Sequence, residues 1–166
     1  DVRALTYKAN RLDVKTPVLD AIMPSNQGHI EVGLRRIIGL GKRRIGVLGF
    51  GFKAGTDDLR ESPMVEVVER LLGKGYEIRI YDKNVSLGRL FGANRRYIEE
   101  KIPHLSRLMV DSLEEVLEHG EVIVIGNRAK EFEEVVNSRT DGQMIVDLVG
   151  VRKKGIIGEN YDGICW

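Results

Sequence analysis

Most of the side chains able to do chemistry in this chain fall in one stretch: Lys53, Asp57, Asp58, Arg60 and Glu61. Lysine offers a mobile point charge and arginine a planar fork, and both suit phosphate. Asp57 and Asp58 can orient these cations or accept from backbone donors. Residue types alone leave two readings open, a site for an anionic ligand such as a nucleotide, or a solvated charged loop.

The stretch follows Gly49-Phe50-Gly51-Phe52-Lys53-Ala54-Gly55, and Asp82 lies further on. That pattern imitates a dinucleotide fingerprint, in which glycines let backbone approach a pyrophosphate and an acid holds the ribose. Ala54 stands where the third glycine belongs, and the run Thr56–Ser62 delays the helix that should begin at once. The alternative is a tight strand-to-loop turn. Asp147, in Val146-Asp147-Leu148, is a charge in apolar surroundings: it needs a partner if buried, and otherwise is a strand-end residue facing solvent. Cys165 is the single cysteine, so no internal disulfide forms and no metal-ligand spacing occurs. It reads as a tail residue, because His29, His104 and His119 give no sign of the base and orienting partner that a thiolate nucleophile needs.

Strand–helix alternation positions these residues. The pattern predicts strands at Arg44–Gly49, Glu77–Asp82, Val122–Gly126 and Met144–Val149, with a short one at Arg107–Val110. Helices are predicted at Pro63–Leu72 behind an N-cap Ser62, at Tyr97–Ile102, at Leu113–Glu118 behind Ser112, and at Lys130–Ser138. Asn84–Phe91 reads as a short helix or a turn. Short apolar strands separated by helices imply a parallel sheet covered on both faces, with ligands at the carboxyl ends of its strands. The fold class is α/β, a Rossmann-like doubly wound parallel sheet preceded by a helical connector.

The connector is residues 1–41. Val2, Leu5, Ala9 and Leu12 have helical spacing, and Asp1 suits an N-cap or first turn. Thr16-Pro17 opens a second helix. Pro24 either kinks it or ends it, with Ser25 or Asn26 capping another that runs to Ile38. These helices have no strand of their own, so they are expected outside the domain core of residues 42–166, as a connector or packed on another domain.

Composition excludes several classes. The 166 residues are 42% hydrophobic and 31% charged, an ordinary globular balance. With Lys+Arg 26 against Asp+Glu 25 the net charge is +1, giving no electrostatic case for nucleic acid. No apolar run is long enough to span a bilayer, and no basic-then-apolar leader opens the chain. A reducing, cytoplasmic setting is expected. The first residue is not Met, as expected of a fragment or a processed product.

The segment FKAGTDDLRESP (Phe52–Pro63) resembles a signature of the UDP-glucose/GDP-mannose dehydrogenase family. KGYEIRIYD (Lys74–Asp82), VIVIGN (Val122–Asn127), IVDLVG (Ile145–Gly150) and GICW (Gly163–Trp166) are similar to its GDP-mannose-oxidising branch. DVRALTYKA (Asp1–Ala9) resembles the stretch directly after that branch's catalytic Cys-Leu-Pro-Lys, and SNQGH (Ser25–His29) fits its connecting helix. The resemblance implies an N-terminal NAD-binding Rossmann domain upstream of this chain, a helical connector that builds a homodimer, and a C-terminal Rossmann-like domain for the nucleotide-sugar, here GDP-mannose. It implies oxidation of the sugar C6 alcohol to a carboxylate with two NAD⁺, through a thiohemiacetal and a thioester on a cysteine upstream of Asp1. Carried over by position, Asp1 helps place the catalytic water, Lys53 contacts the nucleotide-sugar and Arg60 reaches the NAD. The Gly49–Gly55 turn is then not the primary NAD site. The resemblance leaves UDP-glucose or UDP-N-acetylmannosamine open as substrates, and the residues leave open a non-catalytic nucleotide-binding or dimerisation module. By itself this chain is expected to be inactive.

Overall fold

The computed structural model describes residues 2–85, 90, 92–137, 142–151 and 160–164. Two helices lead, α1 (Val2–Arg11) and α2 (Pro17–Gly39). There follow β1 (Arg44–Leu48), α3 (Pro63–Gly73), β2 (Glu77–Tyr81), α4 (Gly92–Lys101), a 3-10 turn at Leu105–Arg107, α5 (Leu113–His119), β3 (Val122–Ile125), α6 (Lys130–Asn137), β4 (Met144–Asp147) and β5 (Tyr161–Gly163). The five strands form one sheet in the order β2-β1-β3-β4-β5, and each pairing is parallel.

Period-two alternation divides the strand side chains between the sheet's faces. Ile45, Val47, Ile78, Ile80, Val122, Val124 and Val146 join one core with α3 residues Met64, Val65, Val67, Val68 and Leu71. Leu48, Ile123, Ile125 and Ile145 join a second with Val116 of α5 and Phe132, Val135 and Val136 of α6. Both faces are covered, which is why β3 is apolar at every position. At the sheet's margin β2 buries only alternate residues, Ile78 and Ile80.

Four of the five predicted strands are present. The short strand expected at Arg107–Val110 is reduced to one bridge, Ile80 with Met109, because residues 105–107 close a 3-10 turn first. β5 was not anticipated. Its three residues pair with β4 but are too few and too polar to show a period. The Asn84–Phe91 prediction lies partly outside the described residues. Ser112 caps α5 as expected, accepting from Glu115 N at 3.2 Å. Ser62 occupies the α3 N-cap position without capping: its hydroxyl donates to Phe50 O at 2.9 Å.

The leading helices contribute more to the core than their pattern implied. Pro24 neither ends nor divides α2, which is one helix through it. No residue of α1 is buried. The end of α2 differs, since Leu34 and Ile37 are buried in the same core as α3. Arg70 of α3 meets Glu31 at 2.5 Å, and Arg36 meets Asp162 of β5 at 2.5 Å.

Candidate functional site

In the strand order the chain moves from β1 to β2 on one side and returns to β3 on the other. The crevice of such a sheet opens between β1 and β3, beyond their carboxyl ends. The segment after β1, residues 49–62, lies at that crevice. Phe50 and Leu59 are fully buried, while residues 52–57 between them are exposed. Burying a Leu or Phe contributes about 1.5–3 kcal/mol, so the loop is pinned near both ends and presented in its middle. Phe52 N donates to Asp58 O at 2.8 Å, closing the exposed part into a compact excursion. At the far end Glu61 takes a left-handed backbone (φ 60) and pairs with Arg3 of α1 at 2.7 Å.

Both cations singled out from the sequence stand on this exposed loop. Lys53 Nζ lies 5.7 Å from the ring centre of Phe52, which is itself 49% exposed. Arg60 Nε and Nη2 grip the two oxygens of Asp58 at 3.0 Å each, and the Arg60 amide donates to the same carboxylate at 3.0 Å. Asp58 therefore orients Arg60, one of the two roles its residue type allowed. The Arg60 hydrogen bond holds the Asp58 carboxyl below its ordinary 3.8, against a smaller upward push from burial. The same bond moves Arg60 up. A guanidinium aligned in this way can exchange one carboxylate oxygen for a phosphate oxygen with little loss of rotamer freedom.

The glycines of the loop do not form a dinucleotide cradle. Gly49 has φ 88, and a Cβ there would lie 2.5 Å from Asn127 Cγ; a Cβ on Gly126 would lie 2.4 Å from Gly49 O. The close approach that a pyrophosphate would need is thus taken by the protein's own chain. Asp82, 5% exposed, is equally occupied: it accepts from Phe50 N at 2.8 Å, Gly51 N at 3.0 Å and Asn127 Nδ2 at 3.2 Å on one oxygen, and Asn84 N at 3.0 Å on the other. No helix begins until Pro63. The local NAD-fingerprint alternative is corrected by this packing, and the tight-turn reading holds.

Asp147 is fully buried and not the solvent-facing residue of one expectation. Its oxygens accept from the amides of Val149, Gly150 and Val151 and from Tyr161 Oη, which meets the cost of burying the charge and ties β5 to β4. Asp1 and Cys165 lie outside the described residues. Among the described residues no group of His, Cys, Asp or Glu is arranged to hold a metal, and no helix is long and apolar enough to cross a membrane. One solvent-open hollow sits away from the strand ends, at the α1–α2 turn, lined by Asn10, Asp13, Lys15, Thr16 and Asp20 among others. Asn94 and Asn127 were missed from the sequence. Each holds the loop or its neighbours through contacts 35 or more positions away, which no local pattern reveals.

A family model described as the UDP-binding domain of the UDP-glucose/GDP-mannose dehydrogenase family matches residues 46–154. GDP-mannose 6-dehydrogenase from Pseudomonas aeruginosa is 49% identical over 166 residues, which is 100% of this chain and 38% of that protein. UDP-glucose 6-dehydrogenase from Rickettsia bellii is 29% identical over 164 residues, 92% of this chain and 35% of that protein. A crystal structure of a ternary complex of GDP-mannose dehydrogenase from Pseudomonas aeruginosa superimposes with a TM-score of 0.89 at 49% identity, covering 100% of this chain and 38% of the other. The chain thus spans less than half the length of the relatives it matches.

Proposed function

Because the chain belongs to the UDP-glucose/GDP-mannose dehydrogenase family, we propose that it is the C-terminal part of a cytoplasmic GDP-mannose 6-dehydrogenase. The observation that carries this reading is the whole-length likeness to GDP-mannose 6-dehydrogenase, well above the likeness to a UDP-glucose enzyme. The full enzyme would oxidise the C6 alcohol of GDP-mannose to the carboxylate of GDP-mannuronate. Two hydrides pass to two NAD⁺, and water supplies the second oxygen. A cysteine on the part of the enzyme that this chain does not span would carry the thiohemiacetal and then the thioester. Bound NAD⁺ supplies the hydride acceptor.

Residues 42–166 would form the nucleotide-sugar domain, and residues 1–41 the connector and dimerisation segment of a homodimer. Lys53, exposed on the loop beyond β1, would hold a phosphate or sugar oxygen of the substrate. Arg60, already aligned by Asp58, would meet an NAD phosphate. Asp1 would place the water that opens the thioester. The chain's own share of the chemistry is binding and orientation, so by itself it would not turn over substrate.

A second reading, oxidation of a UDP-sugar such as UDP-glucose or UDP-N-acetylmannosamine, is favoured by the family model's description as a UDP-binding domain. Following NADH formation by the purified full-length enzyme with GDP-mannose and with UDP-sugars separates the two. A higher kcat/KM with GDP-mannose is expected. A higher value with a UDP-sugar would overturn the substrate, and no turnover with any nucleotide-sugar would favour a non-catalytic module.

A further inference from the structure

Asn94 belongs neither to the ligand-facing loop nor to the Phe52–Pro63 segment. It stands near the start of α4, half-buried. Its carboxamide makes two bonds to the loop backbone: Oδ1 accepts from Leu59 N at 3.0 Å, and Nδ2 donates to Asp57 O at 2.8 Å. The amide is used at both ends, and a flipped amide would set like against like. The two anchored backbone groups lie on either side of Asp58, and Asp58 is the residue that grips Arg60. The path of contact is therefore continuous, from α4 through Asn94 to the backbone at 57 and 59, then through the Asp58 carboxylate to the guanidinium.

We propose that Asn94 is a positioning residue for Arg60. It fixes the backbone from which Asp58 aims the guanidinium, and so sets how well the loop meets the NAD phosphate. This rests on the reading of Arg60 given above. Asn94 need not touch a ligand, so its loss raises the cost of ordering the loop on binding and leaves the bond-making steps alone. The effect belongs in KM and not in kcat. A second expected sign is independent of activity. The Leu59 amide loses its acceptor, and the loop exchanges its amide hydrogens faster.

The experiment uses the full-length enzyme with Asn94→Ala and follows steady-state kinetics alongside hydrogen exchange of peptides covering residues 53–62. The expected result is a KM for NAD⁺ raised about three- to tenfold, as the loss of one or two neutral hydrogen bonds implies, kcat within about twofold of the parent, and faster exchange confined to the loop. Asn94→Asp is nearly isosteric and replaces the donor facing Asp57 O with an acceptor. Should the alanine variant fold poorly, it is expected to raise both readouts. Unchanged loop exchange would overturn the contact as a restraint. Faster exchange with an unchanged KM for NAD⁺ would overturn the positioning role. If Arg60→Ala in the same enzyme also leaves NAD⁺ use unchanged, the reading of Arg60 falls and the proposal with it. Faster exchange in the Asn94 variant would then locate the failure at Arg60.

Discussion

Lys53 and Arg60 were legible as anion-binding residue types, but their geometry was not. Lys53 is a cation beside an exposed aromatic ring, whereas Arg60 is already committed to a carboxylate two residues away. The two should therefore answer differently to substitution. In the full-length enzyme Lys53→Ala is expected to raise KM for the nucleotide-sugar, and Arg60→Ala to raise KM for NAD⁺, each by about ten- to a hundredfold for a lost charge-assisted contact; steady-state kinetics with each substrate varied in turn checks the assignment. Asp58→Asn keeps the shape and removes the charge. It should raise KM for NAD⁺ less than Arg60→Ala does, because the cation survives without its guide. The pH dependence has a definite sign. The Asp58 carboxyl is held below its ordinary 3.8 by Arg60, so the ion pair's contribution is complete above that ordinary value and is lost as pH falls through the lowered one. A plot of KM for NAD⁺ against pH should show no break from this pair near neutrality, and a break there that disappears in Asp58→Asn would contradict the assignment.

At the scale of elements, hydrophobic period sufficed for β1 to β4 and for the helices that cover them, since each strand repeats an apolar pattern over four or five residues. It failed for β5, whose place is set by long-range contacts, among them the bond from Tyr161 to the buried Asp147 and the Arg36–Asp162 pair. It failed also for the glycine turn, where spacing imitated a phosphate cradle and packing shows Asn127 filling the approach. Both failures have measurable consequences. Gly49→Ala would force a Cβ against Asn127 from a left-handed backbone, at an expected cost of at least 1–3 kcal/mol, roughly the range for overpacking and strain. Asp147→Ala would leave three backbone amides and the Tyr161 hydroxyl without their acceptor, and is expected to cost about 3 kcal/mol or more. Thermal melts of the two variants test both. A Tm within a degree of the parent for either one would show that the packing around that residue does not constrain the strand ends.

At the scale of the whole molecule, burial does not follow the helical pattern of the leading residues. Helical spacing marked residues 1–41 as a unit, yet Leu34 and Ile37 are buried with the sheet's core while α1 buries nothing. What separates α1 from the end of α2 is therefore burial, which a helical period in both cannot express. The outer part leaves apolar side chains in solvent: Leu5 at 53% exposed, Leu12 at 65%, Val14 at 52% and Val18 at 78%. Apolar side chains left exposed on these helices suit burial against another surface: a partner copy in the homodimer proposed above, or another domain of the full-length protein. The two parts should then respond oppositely to charge. Leu12→Glu combined with Val18→Glu is expected to turn a dimer into a monomer in sedimentation equilibrium while leaving the melting of the α/β domain in place, because neither residue contributes to its core. Ile37→Glu should instead lower the Tm by ten degrees or more, as an unpaired charge placed in a closed core implies at roughly several kcal/mol. A double variant that remains dimeric would remove the connector as the dimer interface. An Ile37→Glu protein that melts like its parent would remove the end of α2 from the core.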